Sequence, residues 1–392
     1  MGFAFALTAD QKQALNEIVA DLRAPRPMRR LLTGDVGCGK SICFQILAVA
    51  CQRIGRRAVI LAPGQLMLEQ MLAEFERFFP GTPVAAVSAG RKPGRAALAA
   101  NPILVGTTAL LTWCRKHEHL ADLLVVDEQH RHSREIREAL LAPHTNLLKA
   151  SATPIPRSLA LVTHGGMDVS TLKQSPVAKR IETRIVLGTE ERRLVDFVRR
   201  ALDAGWRLAV VYGRVEDDEG GELRSVQKEL AGWEKRFPGK VGVVHGRLSE
   251  RKKEAVIRRM REGTISLLVA STVIELGLTL PSLRALVVVN AERFGLATLH
   301  QLRGRVAREG GPGKFLMFLP KDVGEDARQR LEALVATGDG FALAEMDMQA
   351  RGFGDLSSES EAQTGRHEGL FYGLTVTPAD LEQAQALTAI GG

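Results

Sequence analysis

Gly34-Asp35-Val36-Gly37-Cys38-Gly39-Lys40-Ser41 fits the pattern G-x-x-x-x-G-K-[ST], and its flanks give the pattern physical meaning. The apolar run Leu31-Leu32-Thr33 leads in, and a helix is predicted to lead out over Ile42 to Arg53. The glycines let the backbone wrap a polyphosphate with its N–H groups, Lys40 reaches the outer phosphates and the Ser41 hydroxyl ligates Mg²⁺. The dipole of the following helix favours the same anion. Every residue from Gly34 to Ser41 is therefore a candidate contact to a nucleoside triphosphate, and strand, loop and helix in this order open a parallel α/β sheet.

Outward from this loop the same alternation continues. Toward the N-terminus, Thr8 is a plausible N-cap for an amphipathic helix through about Leu22, which Pro25 and Pro27 end. Beyond the loop, strands are predicted at Ala58 to Ala62, Val84 to Val87, Ile103 to Gly106, Leu123 to Val126 and Leu147 to Ala150, with helices such as Gln65 to Phe79 and Arg134 to Leu141 between them. After a connecting stretch, His164 to Lys179, a second series follows: Ile181 to Leu187, Leu208 to Tyr212, Val241 to His245, Ser266 to Ala270, Ala285 to Asn290 and Phe315 to Leu319. Helices Glu191 to Ala204 and Glu250 to Glu262 fall between these strands, and no second phosphate loop occurs. The expectation is two doubly wound α/β lobes, residues 1–166 and 167–324, then a tail over 325–392 that opens with a helix from Glu325 to Ala336 and docks on a lobe.

Two further stretches carry chemistry. Asp127-Glu128-Gln129-His130 follows the buried run Leu123 to Val126, and carboxylates at the carboxyl end of a parallel strand face the ligand crevice. Asp127 is suited to hold Mg²⁺ through water, and Glu128 to polarise a water for in-line attack on the γ-phosphate. In Gln301-Leu302-Arg303-Gly304-Arg305-Val306-Ala307-Arg308, a glycine between arginines lets guanidinium groups crowd one anionic point. Such arginines stabilise transition-state charge in phosphoryl transfer, and a basic helix on a solvated face is the competing reading. Ser151-Ala152-Thr153-Pro154 places two hydroxyls near the crevice, suited to relay nucleotide state.

Composition narrows the partners. A length of 392 residues exceeds one hydrophobic core, and a net charge of +8 favours an anionic partner, nucleic acid above all. No apolar run is long enough to span a bilayer, and the N-terminal run lacks the basic region of a secretory signal. The four cysteines, Cys38, Cys43, Cys51 and Cys114, form no metal-binding spacing and fit a reducing compartment, so a cytoplasmic location is expected.

With these residues in hand, the chain resembles the RecG-type DNA helicases of helicase superfamily two, which are related to the transcription-repair coupling factor Mfd. The resemblance runs from Phe5 to about Gly369 and includes Ala62-Pro63-Gly64-Gln65, Val105-Gly106-Thr107-Thr108, Ser151 to Arg157, Val244-His245-Gly246-Arg247, Ser271 to Gly277, Asn290 to Gly295 and Gln301 to Arg308. It implies two RecA-like lobes with ATP and Mg²⁺ between them, and an ATPase coupled to movement on duplex or branched DNA in replication, recombination or repair. Lys40, Asp127, Glu128, Arg305 and Arg308 become the catalytic set, and Gln11 resembles the adenine-reading glutamine. Gly64, Gln65, Thr107, Thr108, Arg247 and Thr272 become DNA-backbone contacts, which position without reading sequence. Phe341 to Leu356, closing with Gln363-Thr364-Gly365, is similar to the family's helical-hairpin translocation motif. Thr153, Gln301, Arg351 and Gln363 are then expected to couple hydrolysis to movement.

The chain departs from the family in starting at the motor, so the N-terminal wedge domain is not expected and a protein partner is a candidate source of one. Ala307 stands where a glycine is usual, and Cys38 where serine is common. An RNA helicase, or a nucleotide-dependent factor that binds or loads nucleic acid, would share the same motor motifs.

Overall fold

The computed structural model describes residues 6–127, 140–151, 167–213, 226–271 and 283–351. They fall into two compact units, one reaching from the N-terminal part of the chain through Gln174 and resuming at Ala344, the other Ser175–Leu343.

The first unit is built on a seven-stranded parallel sheet. Its strands are β1 (Arg29–Gly34), β2 (Ala58–Leu61), β3 (Val84–Val87), β4 (Ile103–Gly106), β5 (Leu123–Asp127), β6 (Asn146–Ser151) and β7 (Asp168–Leu172), ordered β3-β4-β2-β5-β6-β1-β7. Strands β2, β4 and β5 are buried along their whole length, as expected when helices cover both faces of a parallel sheet. On one face pack α1 (Ala9–Arg23), α2 (Lys40–Arg53) and α3 (Gln65–Phe78). α3 is positioned by Leu68, Met71 and Phe75, a buried stripe at helical spacing. On the other face lies α5 (Ala109–Lys116), which follows the short α4 (Arg95–Ala99) and buries Leu110, Leu111, Trp113 and Cys114.

The predicted strands of this unit are all present, and β7 is an addition. It lies within the stretch expected to connect the lobes, pairs in parallel with β1, and carries the first unit past the expected boundary at 166. Polar contacts hold it there. Arg30 on β1 donates from Nη1 to Ser170 Oγ at 2.9 Å and from Nε to Asp21 Oδ2 at 2.6 Å on α1. Asp10 of α1 accepts from the backbone N–H groups of Lys173 and Gln174 at 2.7 and 2.8 Å. The N-terminal helix is thus fastened to the edge strand, and its own start is sealed by the expected cap: Thr8 and Gln11 form a reciprocal capping box.

The second unit carries a six-stranded parallel sheet, ordered β10-β11-β9-β12-β13-β8. Its strands are β8 (Lys179–Leu187), β9 (Arg207–Tyr212), β10 (Val241–Val244), β11 (Leu267–Ser271), β12 (Leu283–Val289) and β13 (Gly311–Leu319). The helices are α6 (Glu191–Asp203), α7 (Val226–Arg236), α8 (Glu250–Arg261), α9 (Leu296–Gly304) and α10 (Glu325–Ala336). The tail helix expected at Glu325 forms, and it belongs to this unit rather than to a separate segment beginning at 325. α11 (Gly340–Arg351) follows it. Among the described residues, no helix is long and apolar enough to cross a membrane.

Candidate functional site

At the carboxyl end of β1 the backbone turns through two left-handed glycines, Gly37 at φ 83° and Gly39 at φ 82°, before α2 begins at Lys40. Glycine is required at both ends of this loop. A Cβ on Gly34 would lie 2.7 Å from Cys38 Sγ and from the carbonyl of Leu172, and one on Gly39 would lie 2.3 Å from Gln11 Nε2. Lys40 is buried, and its Nζ donates to the carbonyls of Gly34 and Asp35 at 2.8 and 2.9 Å. The lysine therefore sits inside the loop it would use to hold phosphates.

Gln11 reaches the same loop. Its Nε2 donates to the Cys38 carbonyl at 2.9 Å while its Oε1 accepts from the Thr8 N–H at 2.9 Å, so the side chain ties the start of α1 to the phosphate loop. Cys38 packs as a small buried residue, and burial pushes its thiol pKa up. The other thiols, Cys43, Cys51 and Cys114, are pushed up to about 12, mainly by burial, and all four cysteines are free.

Asp127 closes β5, with β6 between it and β1. With neighbouring strands about 4.8 Å apart, its backbone lies roughly 10 Å from the phosphate loop across the strand end of Ser151. Asp127 is itself buried. The Ser41 hydroxyl and the Asp127 carboxylate form a sparse all-oxygen donor set, which fits Mg²⁺, an ion that retains waters and takes its remaining ligands from phosphates. Among the described residues no group of three or more His, Cys, Asp or Glu side chains could hold a metal without such help.

The strand ends also gather the candidate nucleic-acid contacts of this unit. Gly64 and Gln65 begin α3 just after β2, and Thr107 and Thr108 link β4 to α5, where the Thr107 N–H donates to the Val87 carbonyl at 3.2 Å. They share the carboxyl edge of the sheet with the phosphate loop and Asp127. Glu128 and Thr153 lie outside the described residues, as do Thr272 and Gln363.

In the second unit the candidates separate to opposite ends of the sheet. Arg247 is exposed beyond the carboxyl end of β10. Gln301 lies on α9, and Arg305 and Arg308 follow that helix and precede β13, at the amino end of the sheet, where the Ala307 N–H donates to the carbonyl of Leu283 at 2.8 Å.

The three neighbouring arginines do not crowd one point. Arg303 is buried and turns away: its Nη1 donates to the carbonyls of Leu334 and Thr337 at 2.6 and 2.8 Å, and its Nη2 meets His300 Nδ1 at 2.8 Å. In return, Arg330 of α10 donates to the carbonyls of Phe294 and Glu292 at 3.0 and 2.6 Å. Two crossed guanidinium clamps thus lock α10 to the 292–303 segment. Sequence reading missed them because carbonyl acceptors leave no signature in residue identity.

Ala307 explains how the chain dispenses with the usual glycine. It holds φ 50°, the left-handed conformation a glycine would supply, with its methyl buried. Restoring glycine relieves about 1–2 kcal/mol of backbone strain but adds unfolded-state entropy of about 0.4–1 kcal/mol and removes a buried methyl of about 0.8 kcal/mol. Ala307→Gly should therefore change stability by less than about 1 kcal/mol. A larger side chain has no such balance, because the Ala307 methyl already lies 3.2 Å from where a Cβ on Gly313 would stand. Ala307→Val should cost about 2 kcal/mol or more, read by denaturant unfolding followed through Trp206 and Trp233.

Sequence and fold comparisons agree with this arrangement. The family model of DEAD/DEAH box helicases matches residues 8–162, and that of the helicase conserved C-terminal domain matches residues 222–310. The ATP-dependent DNA helicase RecG of Synechocystis sp. is 36% identical over 368 residues, covering 90% of this chain and 44% of the relative. RecG of Thermotoga maritima is 35% identical over 366 residues, covering 90% and 47%. A solved structure of RecG bound to a three-way DNA junction is similar at TM-score 0.75 and 30% identity, covering 98% of this chain and 50% of that one. The chain spans about half the length of the curated relatives it matches. A phosphate loop sealed by Gln11, an acid at the end of β5, an arginine segment ahead of β13 and this identity over nine-tenths of the sequence converge: the chain carries regions matching both helicase family models and is similar along them to about half of RecG.

Proposed function

We propose that this chain is an ATP hydrolase that drives helicase or translocase movement on duplex or branched DNA, in recombination, replication or repair. The observation that carries the reading is the carboxyl edge of the first sheet, where the phosphate loop, Asp127 and the residues at Gly64 and Thr107 share one rim. Its chemistry follows from charge. The N–H groups of Gly37 to Ser41 and the start of α2 bind the phosphates, and Lys40 exchanges its carbonyl partners for the β- and γ-oxygens. Ser41 and Asp127 would hold Mg²⁺, which when bound neutralises charge on those oxygens. Glu128 orients the attacking water, Gln11 reads adenine, and Arg305 and Arg308 stabilise the transferring phosphoryl group. Gly64, Gln65, Thr107, Thr108, Arg247 and Thr272 grip the DNA backbone, so binding depends on salt more than on sequence. The spacing of the four cysteines, without a metal-binding pattern, supports a reducing, cytoplasmic setting.

The reading is tested by ATP hydrolysis in the presence of duplex, forked and junction DNA, single strands and RNA. Duplex or branched DNA should stimulate most, and preferential stimulation by RNA would replace this reading with an RNA-directed one.

Coupling is assigned to the segment from Arg351 onward, with Thr153 and Gln301 relaying nucleotide state. Arg351→Ala or Gln363→Ala should leave ATP binding intact and spare much of the DNA-stimulated hydrolysis while movement fails. Triplex displacement measured beside ATP consumption at saturating duplex checks this. An unchanged ratio of the two would reduce the segment to packing.

A further inference from the structure

On the second unit, across the sheet from the arginine segment, lies an open groove of about 610 Å³ lined by Arg180, Ile181, Glu182, Trp206, Pro312, Gly313 and Lys314. It sits at the amino ends of β8, β9 and β13. Its face is set by strand alternation: a Cβ on Gly313 would meet Val306 and Ala307 on one side of the sheet, so Lys314 points to the other, where its Nζ lies 6.0 Å from the Phe197 ring of α6. The groove therefore opens on the α6 side, opposite the arginine segment.

Its chemistry is cationic and aromatic. Glu182 is its one acid, and that carboxylate is engaged by Lys314 at 2.6 Å and by Arg184. Arg180 is exposed, and its guanidinium has no hydrogen bond or ion pair among the described residues. Trp206 is half-buried, and its indole N–H likewise has no acceptor among them. A half-buried ring and an uncommitted guanidinium lining one groove, roughly three strand spacings or ~14 Å apart at the backbone, suit a strand of a few nucleotides, in which one base stacks and a phosphate further along takes the charge. Strand addition by a peptide is disfavoured, because edge strand β8 presents the charges of Arg180, Glu182 and Arg184.

We propose that this groove is an accessory site for single-stranded nucleic acid, with Trp206 as the stacking platform and Arg180 as the phosphate contact, independent of ATP. It would hold a displaced or unpaired strand beside the motor.

The test exploits the placement of the tryptophans. Of the three, Trp113 and Trp233 are each 6% exposed, so quenching by a ligand reports chiefly on Trp206. The full chain is titrated with an eight-nucleotide oligothymidylate, without ATP, while tryptophan emission is followed. Emission should fall, and Trp206→Phe should abolish the change. Arg180→Gln should shift the transition about five-fold or more to higher oligonucleotide and lower its salt slope by about one. Duplex-stimulated ATP hydrolysis should be unchanged in both variants, which separates failure of the groove from failure of the motor reading. Quenching that survives Trp206→Phe, a transition insensitive to Arg180→Gln, or quenching by a glutamate-rich peptide but not by the oligonucleotide would each overturn the proposal.

Discussion

Lys40→Ala is expected to lower ATP hydrolysis by on the order of 10²–10³-fold or more and to weaken nucleotide binding with it. The lysine does two things that alanine cannot. It carries the charge that meets the outer phosphates, and its ammonium bridges the Gly34 and Asp35 carbonyls, so its removal also releases the loop. Glu128→Gln should part from it: the amide keeps size and phosphate contacts but cannot polarise water, so binding persists while turnover falls, and a DNA-bound state accumulates. Binding of a fluorescent nucleotide measured beside steady-state hydrolysis distinguishes the two. Equal loss of ATP affinity in both variants would contradict the separate roles.

Arg305→Ala and Arg308→Ala are each expected to reduce DNA-stimulated turnover by about 10³-fold or more while ATP affinity changes only a few-fold. A guanidinium that acts on charge developing in the transition state has little to hold in the ground state, so the loss falls on kcat. Arg303→Ala supplies the contrast, because its guanidinium is committed to Leu334 and Thr337 and its removal should appear in unfolding rather than in selective loss of turnover. Parental turnover in both the Arg305 and Arg308 variants would remove them from the catalytic set.

Much of this architecture was legible from local pattern. The phosphate loop is contiguous, and the strands that follow it are runs of buried aliphatic residues, so composition and spacing place both. β7 was not legible, since Asp168-Val169-Ser170-Thr171-Leu172 lacks an apolar run and is held by Arg30 and by the acids of α1 far away in sequence. The resemblance marks Gln11 as an adenine contact, but its bridge between the helix cap and the Cys38 carbonyl was not legible, because that bond closes across the interval from α1 to the loop. The arginine run misled in one member. Spacing shows that three guanidiniums are near one another in the chain, and only the packing of α10 shows that Arg303 faces elsewhere.

The crossed contacts of Arg303 and Arg330 also determine where this polypeptide can be divided. A fragment ending after β13 would keep the buried Arg303 but lose the carbonyls of Leu334 and Thr337, and a buried cation stripped of its acceptors costs several kcal/mol. It would equally strip the carbonyls of Glu292 and Phe294 of their donor. The second unit therefore cannot be cut short of Thr337. Exchange of tails between related chains, whether by recombination of genes or by design, has to carry α10 with the sheet and graft only what comes after it.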